Sequence, residues 1–192
     1  MNTDSPLVIG IAPEHLPSLL AALLLPLGLW LGALLVDAGP LPPGGRIARR
    51  YRAYRAAPVA TKWLIWMLLI TAVVHLALPL GHSEGGIGLL FLGSGLGYGW
   101  LAVRALDGRR WRPYTIALLV GTLIAYLAVI GIGQEEPDHV GIATALVELI
   151  ALGLCVIPPP GGRRAARGLA SSGFVAGTIL VGAVIWVGMF AA

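Results

Sequence analysis

The sequence predicts an all-α fold: a polytopic membrane protein in which six transmembrane helices form one bundle, with both termini outside the cytoplasm. Two observations carry this prediction. Of the 192 residues, 57% are hydrophobic and 11% are charged, which leaves too little polar surface to cover a water-soluble globule. The chain also contains six apolar segments, and each is close to the roughly 20 helical residues that cross a hydrocarbon core of about 30 Å. We expect a single membrane domain over 1–192.

The six predicted spans follow one another through short polar connectors. They lie at about 16–36, 63–81, 86–106, 114–133, 139–157 and 172–191. The residues before the first span carry no Lys or Arg, which argues against a cleaved signal peptide, so we expect the first span to be retained. The stretch 46–57 places apolar residues on one helical face and arginines on the others. This pattern predicts a short amphipathic helix on the inner membrane surface.

Charged residues are segregated among the connectors. All thirteen Lys and Arg residues fall in three stretches, 46–62, 104–112 and 163–167. Short cytoplasmic loops carry an excess of Lys and Arg, so we expect these stretches to face the cytoplasm. Twelve Arg against one Lys, with abundant Ala, Gly, Leu and Pro, fit a GC-rich coding sequence. The predicted location is therefore a bacterial plasma membrane.

The basic balance of the chain does not indicate nucleic-acid binding. A net charge of +4 is spread over three short loops beside apolar helices, where contact with anionic lipid explains it. We therefore expect the lipid bilayer as a partner and no nucleic acid. The single cysteine, Cys155, excludes an intrachain disulfide.

Glycines spaced four residues apart occur in the third and sixth predicted spans. Such pairs let two helix backbones approach closely in a membrane. We expect helix packing at these positions, within the chain, between two copies of it, or against another membrane protein. The pairs are Gly93 with Gly97, Gly95 with Gly99, and Gly173 with Gly177.

A weak internal repeat relates the second and third predicted spans to the fourth and fifth. The sequence Val74-His75-Leu76-Ala77-Leu78 can be aligned with Ala125-Tyr126-Leu127-Ala128-Val129. Both pairs of spans enter from a basic loop and turn through a connector that contains Gly and acidic residues. The alignment predicts a duplicated hairpin whose two copies have the same orientation in the membrane.

Each connector predicted to face outside pairs a histidine with a carboxylate. Imidazole and carboxylate are suitable ligands for Zn, Cu, Ni or Fe, and a carboxylate can also orient a ligating imidazole. The sequence therefore predicts an outward-facing transition-metal site, for Cu or Zn above all, although the spacing matches no established metal motif. Solvated loop residues are the alternative explanation. The predicted ligands are His15, His82 and His139, with Glu14, Glu84 and Asp138 as orienting groups.

Two ionisable residues lie inside predicted spans. His75 is one to two turns from the outer end of its span, before Pro79, and Glu148 is near the middle of the fifth span. Ionisable groups at such depth are costly and are functional candidates by default. In straight helices the two lie within about 6 Å in depth. They can share a proton or a metal ion if their helices are adjacent. The alternative is a protonated Glu148 that is hydrogen-bonded to Thr144 or to a neighbouring backbone carbonyl.

These observations support three hypotheses about function. The first is binding or translocation of a transition-metal ion at a His and carboxylate site, with proton coupling. The second is a non-catalytic accessory or scaffold subunit of a larger membrane complex. The third is a haem-b or quinone electron carrier, in which His75 and an outer histidine would be axial ligands of a haem. No phosphate loop, dinucleotide fingerprint, nucleophile elbow or zincin motif is present, which favours a non-enzymatic protein.

Overall fold

The computed structural model describes residues 15–39, 42, 44–80, 87–132 and 139–156, and all regular secondary structure in these residues is helical. The all-α prediction is thereby confirmed for the described part of the chain. The helices are α1 (Leu16–Asp37), α2 (Arg46–Ala56), α3 (Val59–Ala77), α4 (Ile87–Leu106), α5 (Arg112–Gly131) and α6 (His139–Val156), and a short 3₁₀ helix, Leu78–Leu80, continues α3.

Five of these helices overlap the first five predicted spans, and α2 overlaps the predicted amphipathic segment. The largest difference is at α3, which begins four residues before the predicted span of 63–81. Its N-cap is Pro58, and the extended backbone of Ala57 and Pro58 separates α2 from α3. Proline favours an extended residue before it and lacks the N–H that a helix interior needs, so it fixes this boundary. The sixth predicted span, 172–191, lies outside the described residues.

Among the described residues, four helices are long and apolar enough to cross a membrane. They are Leu16–Asp37, Val59–Leu80, Gly88–Leu106 and Arg112–Gly131. A shorter apolar helix is found at Val140–Val156. Large apolar side chains on the outer surfaces of α1, α4 and α5 are exposed, which is the arrangement expected of helices that contact lipid.

The helix α3 lies at the centre of the described bundle. It packs against α1, α4 and α6, while α5 packs against α4 and α6. Helices α3 to α6 thus form a four-helix arrangement, and α1 lies outside it against α3. Buried core side chains come mainly from the first parts of α3 and α5 and the second halves of α4 and α6, and they extend from the α2 end of the bundle to its middle. They are Leu64, Ile65, Leu68, Ala72, Tyr98, Leu101, Ala102, Leu119, Ala151 and Cys155.

Close contact between α3 and α4 depends on Gly95. A Cβ atom at this position would lie 2.7 Å from Cγ of Leu76 and 3.0 Å from the carbonyl oxygen of Ala72. Gly97 faces α5, where a Cβ would lie 3.0 Å from a methyl group of Leu118. At Gly93 and Gly99 a Cβ would have no described atom within 4 Å. Packing at those two positions therefore stays a prediction, and Gly173 and Gly177 lie outside the described residues.

Helix α2 is attached to the end of the bundle where the core lies. The Arg50 guanidinium donates two hydrogen bonds to Asp107, of 3.0 and 3.1 Å, and so joins α2 to the connection between α4 and α5. On the other side, the Tyr51 hydroxyl donates to Asp37 at the end of α1, at 3.1 Å. Trp66 of α3 donates its indole N–H to the Tyr54 hydroxyl at 2.8 Å. The first two basic stretches of the sequence consequently lie at the same end of the molecule.

Candidate functional site

A cavity of about 150 Å³ lies among α3, α4, α5 and α6, at the end of the bundle away from α2. It is partly open, and most of its wall is apolar. His15, immediately before α1, also borders it. The lining residues are His15, Val74, His75, Leu78, Leu90, Phe91, Ser94, Thr122, Ala125, Tyr126, Val129, Val140, Gly141, Thr144, Ala145 and Glu148.

His75 is held in one orientation by its own helix. The residue is buried, with 7% of its surface exposed, and its Nδ1 lies 2.9 Å from the carbonyl oxygen of Thr71. A carbonyl oxygen can only accept a hydrogen bond, so Nδ1 carries a hydrogen and Nε2 is the nitrogen that gains or loses a proton. The rings of Phe91 and Tyr98 pack against the imidazole, with centroid distances of 5.9 and 5.5 Å.

Glu148 is buried in the middle of α6, with 3% of its surface exposed. Its Oε1 accepts a hydrogen bond of 3.1 Å from the Tyr98 hydroxyl of α4. Its Oε2 lies 2.9 Å from the Thr122 hydroxyl of α5. The two hydroxyls are also in hydrogen-bond contact with each other. Carboxyl, phenol and threonine hydroxyl therefore form a closed ring of three oxygen-to-oxygen contacts, with groups from three helices.

The number of protons available to this ring favours a neutral Glu148. Three contacts require three protons, and Tyr98 and Thr122 supply only two. With an ionised carboxylate, one contact would bring two lone pairs together. A protonated carboxyl completes the ring, since Glu148 then donates to Thr122, Thr122 to Tyr98, and Tyr98 back to Glu148. The carbonyl oxygens of Leu118 and Leu119, each 3.1 Å from the Thr122 hydroxyl, compete for its single proton and sharpen the shortage.

His75 and Glu148 face each other across the packed helices α3 and α6. The distance from Nε2 of His75 to Oε1 of Glu148 is 3.7 Å. This is longer than a direct hydrogen bond but within the reach of an ion pair, about 4 Å. The two side chains can therefore hold a proton on Glu148, with both groups neutral, or on His75, as an imidazolium and carboxylate pair.

The structure brings four of the predicted site residues to one cavity: His15, His75, Thr144 and Glu148. The alternative partner of Glu148, Thr144, donates its hydroxyl instead to the carbonyl of Val140, one turn earlier in the same helix, at 2.7 Å. Threonine in a helix often bonds back to its own backbone in this way.

His139 is the first residue of α6. The other predicted site residues, Glu14, His82, Glu84 and Asp138, lie outside the described residues.

The described residues do not contain a complete set of metal ligands. No three of their His, Cys, Asp or Glu side chains are grouped closely enough to hold a metal ion. Cys155 is buried at the core end of the bundle, away from the cavity. The predicted Cu or Zn site would therefore need ligands from the rest of the chain.

Tyr98 and Thr122 were not selected from the sequence, because a hydroxyl in an apolar helix ordinarily serves interhelical packing. The internal repeat could have pointed to Thr122. When α3 is aligned with α5, Thr122 matches Thr71, 51 positions earlier in the sequence. Five pairs of cavity-lining residues are also separated by 51 positions. They are Val74 and Ala125, His75 and Tyr126, Leu78 and Val129, Leu90 and Gly141, and Ser94 and Ala145. The cavity thus lies between equivalent faces of the two predicted hairpins.

Comparison with protein-family models, with curated proteins and with solved structures finds no match for this chain. Function must therefore be argued from the site, through the chemistry of its residues and their geometry.

Proposed function

We propose that this chain is an integral membrane protein in which His75 and Glu148 exchange a proton with the cavity and couple that exchange to transport of a solute. The observation that carries the proposal is the 3.7 Å approach of two buried ionisable side chains from different helices, at the wall of a cavity. Such groups are expensive to keep inside an apolar bundle, and proton relays are among their principal uses there.

The distribution of charge supports a location in the bacterial plasma membrane with the α2 end in the cytoplasm. The Arg50 and Asp107 pair joins two of the three basic stretches at one end of the bundle. At the same end, the Arg104 guanidinium lies over the rings of Trp100 and Tyr114, at 4.6 and 5.4 Å from their centroids. Short basic loops are typical of the cytoplasmic side, and Trp and Tyr rings are typical of either membrane interface. The cavity then faces the outer half of the membrane.

The proposed proton cycle has two steps that the side chains themselves perform. In the first, a concerted shift of one proton along each contact of the ring places the carboxyl proton on Oε1, the Glu148 oxygen that lies 3.7 Å from Nε2 of His75. Oε1 then gives that proton to Nε2, and the resulting carboxylate accepts hydrogen bonds from Tyr98 and Thr122. In the second, the imidazolium of His75 releases that proton into the cavity. Thr71 fixes the ring throughout, because its carbonyl holds Nδ1 in the protonated form.

The size of the cavity bears on the competing hypotheses. A volume of about 150 Å³ is smaller than the roughly 300–1,000 Å³ of pockets for drug-sized ligands, which favours a small solute over a haem. Translocation of a transition metal stays a prediction that needs ligands from outside the described residues. Proton exchange, by contrast, needs only groups that line or adjoin this cavity.

Infrared difference spectroscopy over a pH titration of the purified protein tests the proposal. Protonated and ionised carboxyl groups absorb differently, so a titrating band can be followed in the wild type. We expect one such band to disappear in Glu148→Gln and to titrate at a different pH in His75→Gln. Asp107→Asn, which removes a carboxylate at the opposite end of the bundle, should leave that band unchanged. Persistence of every titrating band in Glu148→Gln would refute the proposal.

A further inference from the structure

We infer that the cavity binds a small organic cation, a protonated amine carrying one apolar or aromatic group, in exchange for the proton of Glu148. This inference rests on the proposed function and names the class of solute. It follows from the charge of the cavity, the chemistry of its wall, its volume and the remaining hydrogen-bonding capacity of the carboxylate.

The charge of the lining selects against anions. Among the described lining residues, Glu148 is the only acid and there is no Lys or Arg. Two other titratable groups, His75 of α3 and Tyr98 of α4, contact the carboxyl, and two more, Tyr126 of α5 and His15 before α1, line the same cavity. With neutral histidines, loss of the Glu148 proton leaves one net negative charge in a largely apolar wall. A monovalent cation restores neutrality.

The wall favours an organic cation over a metal ion. A transition metal requires several nitrogen, sulfur or oxygen ligands, and the described residues offer no group of three acidic, histidine or cysteine side chains. Aromatic rings, in contrast, attract ammonium groups through the negative faces of their π systems. Phe91 and Tyr126 line the cavity, and the rest of the wall is mostly aliphatic. An ammonium group with an apolar substituent is complementary to both the aromatic rings and the aliphatic part of the wall.

The volume limits the solute to about one ring with a short amine arm. A protein cavity of about 150 Å³ admits benzene, and this cavity is of that size and is partly open. A benzylammonium ion therefore represents the class, with its ring among the apolar residues and its ammonium group toward Glu148.

The carboxylate retains acceptor capacity for such a ligand. Each carboxylate oxygen has two lone pairs. In the ionised state Tyr98 donates to one lone pair of Oε1 and Thr122 to one of Oε2, and the contact between the two hydroxyls is lost. An ammonium group can donate to the remaining lone pairs. The exchange balances: a protonated amine enters, the Glu148 proton leaves through His75, and the net charge of the site is zero before and after.

Calorimetric titration of the full-length protein in detergent tests the inference, with benzylammonium as ligand and benzyl alcohol as its neutral counterpart. A primary ammonium stays protonated through the neutral and mildly acidic range, so any pH dependence there arises from the protein. We expect benzylammonium to bind more tightly as the pH rises. Repeating the titration in buffers of different ionisation enthalpy should show release of about one proton per cation, by the balance above.

Glu148→Gln should weaken benzylammonium binding at least about tenfold and leave benzyl alcohol binding unchanged. Retention of the alcohol shows that the variant still forms the cavity, and Asp107→Asn should bind both ligands like the wild type. Equal binding of the two ligands by the wild type, or unchanged benzylammonium binding in Glu148→Gln, overturns the inference. The inference is also overturned if Zn²⁺ releases the proton on binding and benzylammonium does not. If benzylammonium fails while the Glu148 infrared band titrates, the solute class is wrong and the proton site stands.

Discussion

At the scale of single residues, the hydroxyls of Tyr98 and Thr122 determine which protonation state of Glu148 satisfies every hydrogen bond. Both groups donate well to a carboxylate when considered separately. Because they also contact each other, the three contacts among these groups need one proton more than the two hydroxyls hold. The ring therefore lacks one proton when Glu148 is ionised, and it is complete when the carboxyl carries that third proton.

Thr122→Val should destabilise the protein, because it removes the hydroxyl that bonds to both Glu148 and Tyr98. We expect a loss of about 1–2 kcal/mol, the upper range for interhelical hydrogen bonds in membrane proteins. Thr144→Val is a matched control, since the Thr144 hydroxyl lines the same cavity but donates only to its own helix at Val140. Its effect should stay below about 0.5 kcal/mol. Unfolding of the purified variants by denaturant measures both, and equal losses would contradict the role given to Thr122.

At the scale of helices, the contact between α3 and α4 leaves no space for a side chain at Gly95. Gly95→Ala should therefore cost about 1–3 kcal/mol in the free energy of unfolding, through overpacking against Leu76 and the Ala72 carbonyl. Gly99→Ala on the same helix is the control. No described atom lies within 4 Å of its added methyl group, and alanine is the better helix former by up to about 1 kcal/mol. A large loss in Gly99→Ala as well would show that a further helix or a second copy packs there.

The attachment of α2 should depend on pH. The hydrogen bonds from Arg50 lower the pKa of the Asp107 carboxyl below its ordinary value. A carboxyl whose pKa is lower in the folded state stabilises that state above the unfolded pKa, and the contribution is lost as the pH falls through the lowered value. The wild type should thus be more stable than Asp107→Asn at neutral pH, and the difference in unfolding midpoint should vanish on acidification. A difference that persists in strong acid would be inconsistent with this pair.

At the scale of the whole molecule, orientation can be tested with the single cysteine removed. Ile47 of α2 and Leu80 after α3 are exposed, by 60% and 77%, at opposite ends of the described bundle. In a Cys155→Ala background, a membrane-impermeant maleimide added to intact cells should label Leu80→Cys and not Ile47→Cys. Labelling of Ile47→Cys alone would reverse the proposed topology. Lysed cells provide the control, because both positions should then react.

Much of the architecture follows from the sequence, because apolar length and charge segregation are properties of individual segments. The helices α1 to α6 appear where those patterns predict them, and His75 and Glu148 stand out because each is ionisable within an apolar run. The adjacency of α3 and α6 could not be predicted, since it depends on how separate segments pack. The same is true of the partners of Glu148: Thr144 was closer in sequence, but Tyr98 and Thr122 are closer in space.

Only one of the two copies of the hairpin repeat has a carboxyl at the position of Glu148. Glu148 of α6 corresponds to Gly97 of α4, so the described lining residues place a single carboxyl between the two equivalent halves of the cavity. An exchanger built on one carboxyl moves one proton against one monovalent cation, and such a cycle is electroneutral. It would be driven by the difference in pH and in solute concentration across the membrane, and a transmembrane voltage would neither drive nor oppose it.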